Sequence, residues 1–441
     1  MSWRDRCGEK LVSVETAIRH VQSDSTVAVA PFTCTPYTLC NALIEHGKRG
    51  GFRNVRIDHP ASLVSWTEPG TEGVFELHDN YATPPNREAC HAGRMEYLPV
   101  GIWKSYELPP GFTEHPDVYL VPVSPPDEKG YCSFGPGVWL SPTTVRNAKL
   151  VIAEVQEDFI RTYGENYVHL DQLDLLVEGE VPTGVQPAAQ PSDEEVAAVE
   201  VICSLVAAEL INDGDTLQMG VGTVSASLGR YLDFRNDLGI QTELITSGIA
   251  DLVRRGVVTG RRKTLHRDKV VGSALVALDR EEMLSIHENP VFELYDFGYT
   301  DDLRRLIQQE NFVTVNNALI IDLTGQVSAE SIDHRMFTGV GGQTVFMIAG
   351  AYSPGGKSVS VLPSSSIPTS TGERVSRIVP VLAPGCAVTV PRTYVDYVVT
   401  EQGIATLRGK TLKERARELA AVSHPEFRPE LEKQARELYG A

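Results

Sequence analysis

The stretch GIQTELITSG, residues 239–248, carries a single charged side chain, Glu243. It follows a β-branched run and stands just before Ser247 and Gly248, which mark a helix start. A glutamate has an ordinary pKa near ~4.3, so it is anionic at neutral pH without a partner base. Such a carboxylate can attack a carbonyl carbon and form a covalent intermediate. The plain alternative is a solvated strand edge or a satisfied hydrogen-bond acceptor. Two glycine-rich stretches accompany it. In QMGVGTVSASL (218–228) a strand runs into Gly220 and Gly222 and a helix begins shortly after. Glycines there let backbone N–H groups approach a phosphate or an oxyanion. In TGVGGQTVFMIAGAYSPGGKSVSV, Gly339, Gly341 and Gly342 form a second loop, and Gly355 and Gly356 precede Lys357. Two glycine turns and a lysine suit a ligand with phosphates and a carbonyl that needs oxyanion stabilisation. Without a ligand, both stretches are ordinary tight turns.

Other signatures fail. Ser225 occupies the place of the third glycine of a dinucleotide fingerprint, and no G-x-x-x-x-G-K-[ST] occurs. GYCSFG (130–135) has one residue too many before its serine for a nucleophile elbow. Cys132 in that stretch reads as a loop residue facing a cleft. Nothing beside it depresses a thiol pKa. The seven cysteines include no C-x-x-C pair, and the eleven histidines show no H-x-x-x-H spacing. Reduced thiols and no metal site are therefore expected.

These residues need elements to hold them. Short β-branched runs alternate with helical patterns in both halves, which predicts α/β domains. STVAVAPF, NVRIDHP, DVYLVPVS and KLVIAEV read as strands in the first half, with a helix at TPYTLCNALIEHGKRG. In the second half DTLQMGVG, IQTELIT, FVTVNNALIIDLTG, VSVLPSS, AVTVP and DYVVTE read as strands. In open α/β sheets ligands gather at the carboxyl ends of strands, where Glu243 and both glycine loops fall. The Pro- and Gly-containing stretch from Glu178 to Glu195 reads as a linker. It divides an N-terminal domain, 1–185, from a C-terminal domain, 186–441. Ser192 or Asp193 caps the helix that follows, and Thr411 with Glu414 has capping-box spacing.

At 441 residues, two domains are expected. A net charge of −18 gives no electrostatic reason for nucleic-acid binding. No signal-peptide core and no membrane-spanning apolar run is legible. A cytoplasmic enzyme with no membrane partner is the expectation.

Nearly the whole chain resembles the acetyl-CoA hydrolase/transferase family, in particular its 4-hydroxybutyrate and butyryl-CoA:acetate CoA-transferase group. The resemblance rests on PPDEKGYCSFG followed by NAKLVIAEVQEDFIRTYGENYVH in the first half. In the second it rests on LQMGVG, LGIQTELITSGIADL, VNNALIIDLTGQVSAESI, TGVGGQTVF and VVTEQGIATLRGKTLKERARELAAVSHPEFR. It implies two related open α/β domains with the active site at their interface. The family's catalytic glutamate falls on Glu243. Its coenzyme A contacts fall on Gln218, Met219, Gly220, Val221 and Gly222, on Asn317 and Ala318, and on Gly341 with Gly342. Lys357 is a further candidate contact, and homodimers or larger homo-oligomers are expected.

The implied reaction moves coenzyme A between an acyl-CoA and a short-chain acid such as 4-hydroxybutyrate, butyrate, succinate or itaconate, through a glutamyl-CoA thioester and with ping-pong kinetics. Gly341 or Gly342 would supply oxyanion donors. The alternative is an acyl-CoA hydrolase using the same glutamate. Departures from the family pattern are Thr223 for a glycine, Ser247 for an aspartate, and Val345 and Ile348 for an acid and a base. Loss of the two acids suggests a dicarboxylic acid partner.

Overall fold

The computed structural model describes residues 2–58, 61, 63–101, 115–179, 192–220, 222–368 and 371–441. They form two compact α/β units. The first comprises Met1–Gln186, Gly272–Thr300 and Met336–Gly341. The second comprises Pro187–Val271, Asp301–Arg335 and Gly342–Ala441. The linker expected near residue 185 falls largely in 180–191, outside the described residues. Residues 272–300 and 336–341, expected in the second domain, go with the first unit. Backbone hydrogen bonds explain part of this: Val138 N–H donates to Ser273 O, and Leu275 N–H to Pro136 O. The strand Phe292–Leu294 also pairs with Tyr163–Gly164.

The first unit is built on a seven-stranded parallel sheet. Its order is Leu175–Glu178, Leu150–Val155, Val118–Val123, Thr26–Val29, Val55–Asp58, Phe75–Asp79 and Met95–Tyr97. Val118–Val123 is buried along its whole length, as a strand covered on both faces must be. The sequence pattern finds the central strands. It misses Phe75–Asp79 and Met95–Tyr97, where charged residues interrupt the apolar run.

In the second unit Tyr397–Thr400, Lys357–Val361, Phe312–Asn317, Thr216–Met219, Gly239–Gln241 and Val270–Gly272 lie side by side, all parallel. Gly403–Thr406 adds an antiparallel edge. The core beside them includes Ile321, Leu323, Met347, Leu362, Val398 and Leu419. Helix starts follow their capping residues. Ser192 Oγ accepts from Glu195 N–H at 3.2 Å, and Thr411 with Glu414 forms a reciprocal capping box.

Three expected strands differ. FVTVNNALIIDLTG divides into Phe312–Asn317, in the main sheet, and Ile320–Asp322, in a small separate sheet. AVTVP makes only an isolated bridge between Val327 and Val390. IQTELIT divides into Gly239–Gln241 and Leu244–Thr246. Thr242 causes the break. Its N–H still bonds Val271 O at 3.0 Å, while its hydroxyl turns to Met219 O and Leu244 O, each at 3.2 Å. Among the described residues, no helix is long and apolar enough to cross a membrane.

Candidate active site

Glu243 occupies the break between those two strands, at the carboxyl end of Gly239–Gln241. Gly248, with φ +90°, turns the chain into the helix Ile249–Arg254. This backbone conformation suits glycine because it carries no Cβ. The Glu243 carboxylate is closely surrounded by protein but keeps part of its surface open. Burial pushes its pKa up to about 7, and a hydrogen bond from Gly342 opposes the rise. That bond, Gly342 N–H to Oε2, measures 3.0 Å. Oε1 takes no hydrogen bond from any described residue. The carboxylate is therefore held by one oxygen and presented by the other. The sequence-level expectation of a fully ionised glutamate at neutral pH is corrected: desolvation leaves the proton competitive near pH 7.

The second glycine loop reaches Glu243 because position 342 has no side chain. A Cβ there would collide with Glu243 Oε2, Asp301 Oδ2 and the Phe346 ring. Gln343 opens the helix Gln343–Tyr352, and its Nε2 donates to Asn317 O at 3.0 Å. Asn317 Oδ1 in turn accepts from Ser225 N–H at 3.1 Å and from Ser225 Oγ at 2.7 Å. A Cβ on Gly222 would strike the Asn317 side chain. Gly220 donates its N–H to Val315 O at 3.0 Å. Glu243, Gly342, Asn317 and the loop containing Gly220 and Gly222 are thereby joined through direct contacts. Backbone approach, rather than side-chain charge, builds this region.

Other expected site residues stand differently. Gln218 is buried, and its amide pairs reciprocally with Asn316 at 3.1 and 2.8 Å. Met219 and Ala318 are also buried, so only their backbones are candidates for ligand contact. Val221 lies outside the described residues. Gly341 has φ +54° with open space at its Cβ position, and it belongs to the first unit.

Lys357 is not brought to Glu243. It begins the strand Lys357–Val361 and so sits at the amino end of a parallel array. Its Nζ donates to Leu210 O at 2.9 Å and meets Asp215 at 3.5 Å. Cys132 is buried on the short strand Tyr131–Cys132, and burial pushes its thiol up to about 12. It does not face a cleft. Among the described residues, no group of three or more His, Cys, Asp or Glu is placed to hold a metal ion.

Sequence reasoning missed Asp301. It reads as half of an Asp301–Asp302 doublet before the short helix Leu303–Leu306, where Asp302 is the cap. Asp301 is instead fully buried, with Oδ2 beside the Cα of Gly342. Only the fold distinguishes the two.

An α/β chain that holds one oxygen of a glutamate on the N–H of a glycine turn has a carboxylate suited to attack on a carbonyl carbon. The models of the acetyl-CoA hydrolase/transferase N-terminal and C-terminal domains match residues 1–186 and 280–435. The 4-hydroxybutyrate coenzyme A transferase of Clostridium kluyveri is 35% identical, covering 98% of each chain. The butyryl-CoA:acetate CoA-transferase of Anaerostipes caccae is 31% identical, over 99% of this chain and 98% of that one. The crystal structure of RipA from Yersinia pestis superposes with a TM-score of 0.89 at 30% identity, over the full length of both. The chain belongs to the acetyl-CoA hydrolase/transferase family and is a CoA-transferase.

Proposed function

We propose that this CoA-transferase moves coenzyme A between an acyl-CoA and a short-chain carboxylic acid through a glutamyl-CoA thioester on Glu243. The observation that carries the reading is the asymmetric carboxylate, with Oε2 fixed by Gly342 N–H and Oε1 unbonded among the described residues. Oε1 attacks the thioester carbonyl, the C–S bond breaks, and the CoA thiolate leaves a mixed anhydride. The thiolate then attacks Glu243 Cδ. Charge gathers on Oε2, which already lies 3.0 Å from the Gly342 N–H and is stabilised there as an oxyanion. The bond from Cδ to Oε1 breaks and the first acid departs with that oxygen. A second acid runs the sequence in reverse and restores a glutamate oxygen. Gly341 is a second candidate donor for the acyl oxyanion.

The proposed CoA site comprises Gly220, Val221 and Gly222, the backbones of Gln218, Met219, Asn317 and Ala318, and Gly341 with Gly342. Lys357 is left out of it because its ammonium is engaged at the other end of the strands. The relative from Clostridium kluyveri supports 4-hydroxybutyrate as the acid, and the one from Anaerostipes caccae supports butyrate. Ser247 and Val345 each remove an acid that family members carry, but Asp301 places a carboxylate beside Glu243. Succinate and itaconate stand beside 4-hydroxybutyrate and butyrate as further candidate acids. The seven free cysteines fit a reducing cytoplasm. A homodimer or larger homo-oligomer is expected by family resemblance and is testable by ultracentrifugation.

The test is peptide mass spectrometry after incubation with acetyl-, butyryl-, 4-hydroxybutyryl- and succinyl-CoA, with borohydride trapping. A CoA adduct or a reduced side chain on the Glu243 peptide is expected. CoA release at equal rates with and without an acceptor acid would favour the hydrolase instead.

A further inference from the structure

The helix Thr223–Ser227 starts on a residue that has no side chain to cap it. Gly222 stands at the N-cap position, with φ −67° and ψ 163°, where a serine, threonine or aspartate would ordinarily accept from the third residue of the helix. That residue is Ser225, and its N–H is one of the orphan donors of a helix start. The acceptor comes from a distant strand instead. Asn317 ends the strand Phe312–Asn317, and its Oδ1 lies 3.1 Å from the Ser225 N and 2.7 Å from Ser225 Oγ. Gly222 O stands farther from that hydroxyl, at 3.4 Å. A Cβ on Gly222 would lie 2.1 Å from Asn317 Cγ. The glycine that supplies no cap thus makes room for the amide that replaces it.

This contact decides which way the Asn317 amide faces. A backbone N–H can only donate, so the atom it meets must be the carbonyl oxygen. Both acceptor positions of Oδ1 are then taken by Ser225, one by its N–H and one by its hydroxyl. Nδ2 is turned away from Ser225 and donates to none of the described residues. Ser225 is fully buried and Asn317 half-buried. The backbone of Asn317 is held as well, because its O accepts from Gln343 Nε2 at 3.0 Å. Gln343 follows Gly342, whose N–H holds Glu243. All of these residues belong to the second unit.

We infer that Ser225 is a positioning residue: it locks the Asn317 amide so that Nδ2 is kept as a donor for an acceptor oxygen of the acyl-CoA. The inference rests on the placement of Asn317 in the CoA site proposed above. In a flipped amide, Nδ2 would face the Ser225 N–H, donor against donor. The acyl-CoA oxygen would then meet Oδ1, acceptor against acceptor. The N–H bond alone is the longer of the two, and the hydroxyl adds the shorter one that makes a flip costly.

The experiment measures kcat/KM for butyryl-CoA, together with Tm, in wild type, Ser225→Ala, Asn317→Asp, the double variant and Ser227→Ala. Asn317→Asp keeps an acceptor for Ser225 but has no donor, and a loss of about 30-fold is expected. Ser225→Ala keeps the donor but loosens it, and should lose about three- to tenfold. The double variant should match Asn317→Asp within about twofold, since residues that act as one unit are not additive. Ser227, on the same helix, donates its hydroxyl to Thr223 O at 2.8 Å, and Ser227→Ala should leave kcat/KM unchanged. A merely structural Ser225 would lower Tm and leave kcat/KM alone. An unchanged kcat/KM in folded Ser225→Ala, beside an impaired Asn317→Asp, would therefore overturn the lock and leave the CoA site standing. So would a Ser225→Ala loss that multiplies in full onto that of Asn317→Asp. An unimpaired Asn317→Asp would overturn the placement of Asn317 in the CoA site, and the lock with it. Should Ser225→Ala not fold, Ser225→Cys takes its place with a weaker donor of similar size: a partial loss supports the lock, and no loss overturns it.

Discussion

Glu154 and Glu243 are both glutamates that burial pushes up to about 7, yet they sit in different settings. Glu154, on the strand Leu150–Val155 of the first unit, is fully buried. Its Oε2 accepts from Leu39 N–H at 2.9 Å, in the first turn of the helix Tyr37–Lys48, and its Oε1 accepts from Gln156 Nε2. Both oxygens are committed, and the carboxylate anchors a helix to a sheet. Glu243 has one oxygen fixed and one free, lies in a break between strands and keeps an open surface. A raised pKa thus reports burial in both. What separates the two is an oxygen of Glu243 that takes no hydrogen bond from any described residue.

The sharpest way to break this comparison is to neutralise each glutamate. Glu243→Gln should lower kcat for CoA transfer by roughly three to six orders of magnitude, as loss of a nucleophile does. Glu154→Gln should leave kcat/KM within about threefold and act on stability instead. Equal losses of turnover in two folded proteins would defeat the distinction. Next in size is Gly342→Ala, whose Cβ would strike both the nucleophile and Asp301. A kcat loss of about 10²–10³-fold is expected, the magnitude of removing an oxyanion donor. Gly341→Ala meets open space, but its φ of +54° disfavours a side chain. Its cost should be about 1 kcal/mol of stability with much less effect on turnover.

Lys357 supplies a third contrast, between the two ends of the strands. Lys357→Met leaves the largely buried Asp215 without its ammonium partner, so unfolding free energy should fall by about 2–3 kcal/mol. The KM for acyl-CoA should stay within about twofold. A tenfold rise in KM with unchanged stability would return Lys357 to the CoA site.

The smallest effect concerns stability and pH. The folded-state pKa of Glu243 is raised from 4.5 to about 7. The folded protein therefore holds a proton that the unfolded chain releases between those values, and stability falls as pH rises through that window. The penalty is absent below pH 4.5 and complete above about 7. Glu243→Gln should be more stable than wild type by about 3 kcal/mol at pH 8, with the difference vanishing near pH 4.5. Denaturant melts at the two pH values check it. The same titration predicts that wild-type kcat/KM falls about tenfold per pH unit below 7.

Much of this was open to reading from the chain. The β-branched runs predicted the central strands because parallel strands covered on both faces need continuous apolar sequence. Ser192 and the Thr411–Glu414 pair predicted helix starts because capping is a local interaction. Glu243, Gly220, Gly222, Gly341 and Gly342 stood out for the same reason: residue type and nearest neighbours decide what a turn or a lone carboxylate can do. The strands Phe75–Asp79 and Met95–Tyr97, the last two at one side of the first sheet, did not stand out, since half-exposed strands carry no apolar run.

Tertiary structure alone decided the rest. It gave Lys357 to Asp215, engaged Gln218 with Asn316, and assigned 272–300 and 336–341 to the first unit. It also turned Asp301 inward while its neighbour Asp302 remained a helix cap. Each of these depends on a partner tens of residues away, and sequence spacing says nothing about which distant groups a parallel sheet will bring to the same end. The protonation of Glu243 is decided in the same way, because desolvation is a property of everything packed around a carboxylate.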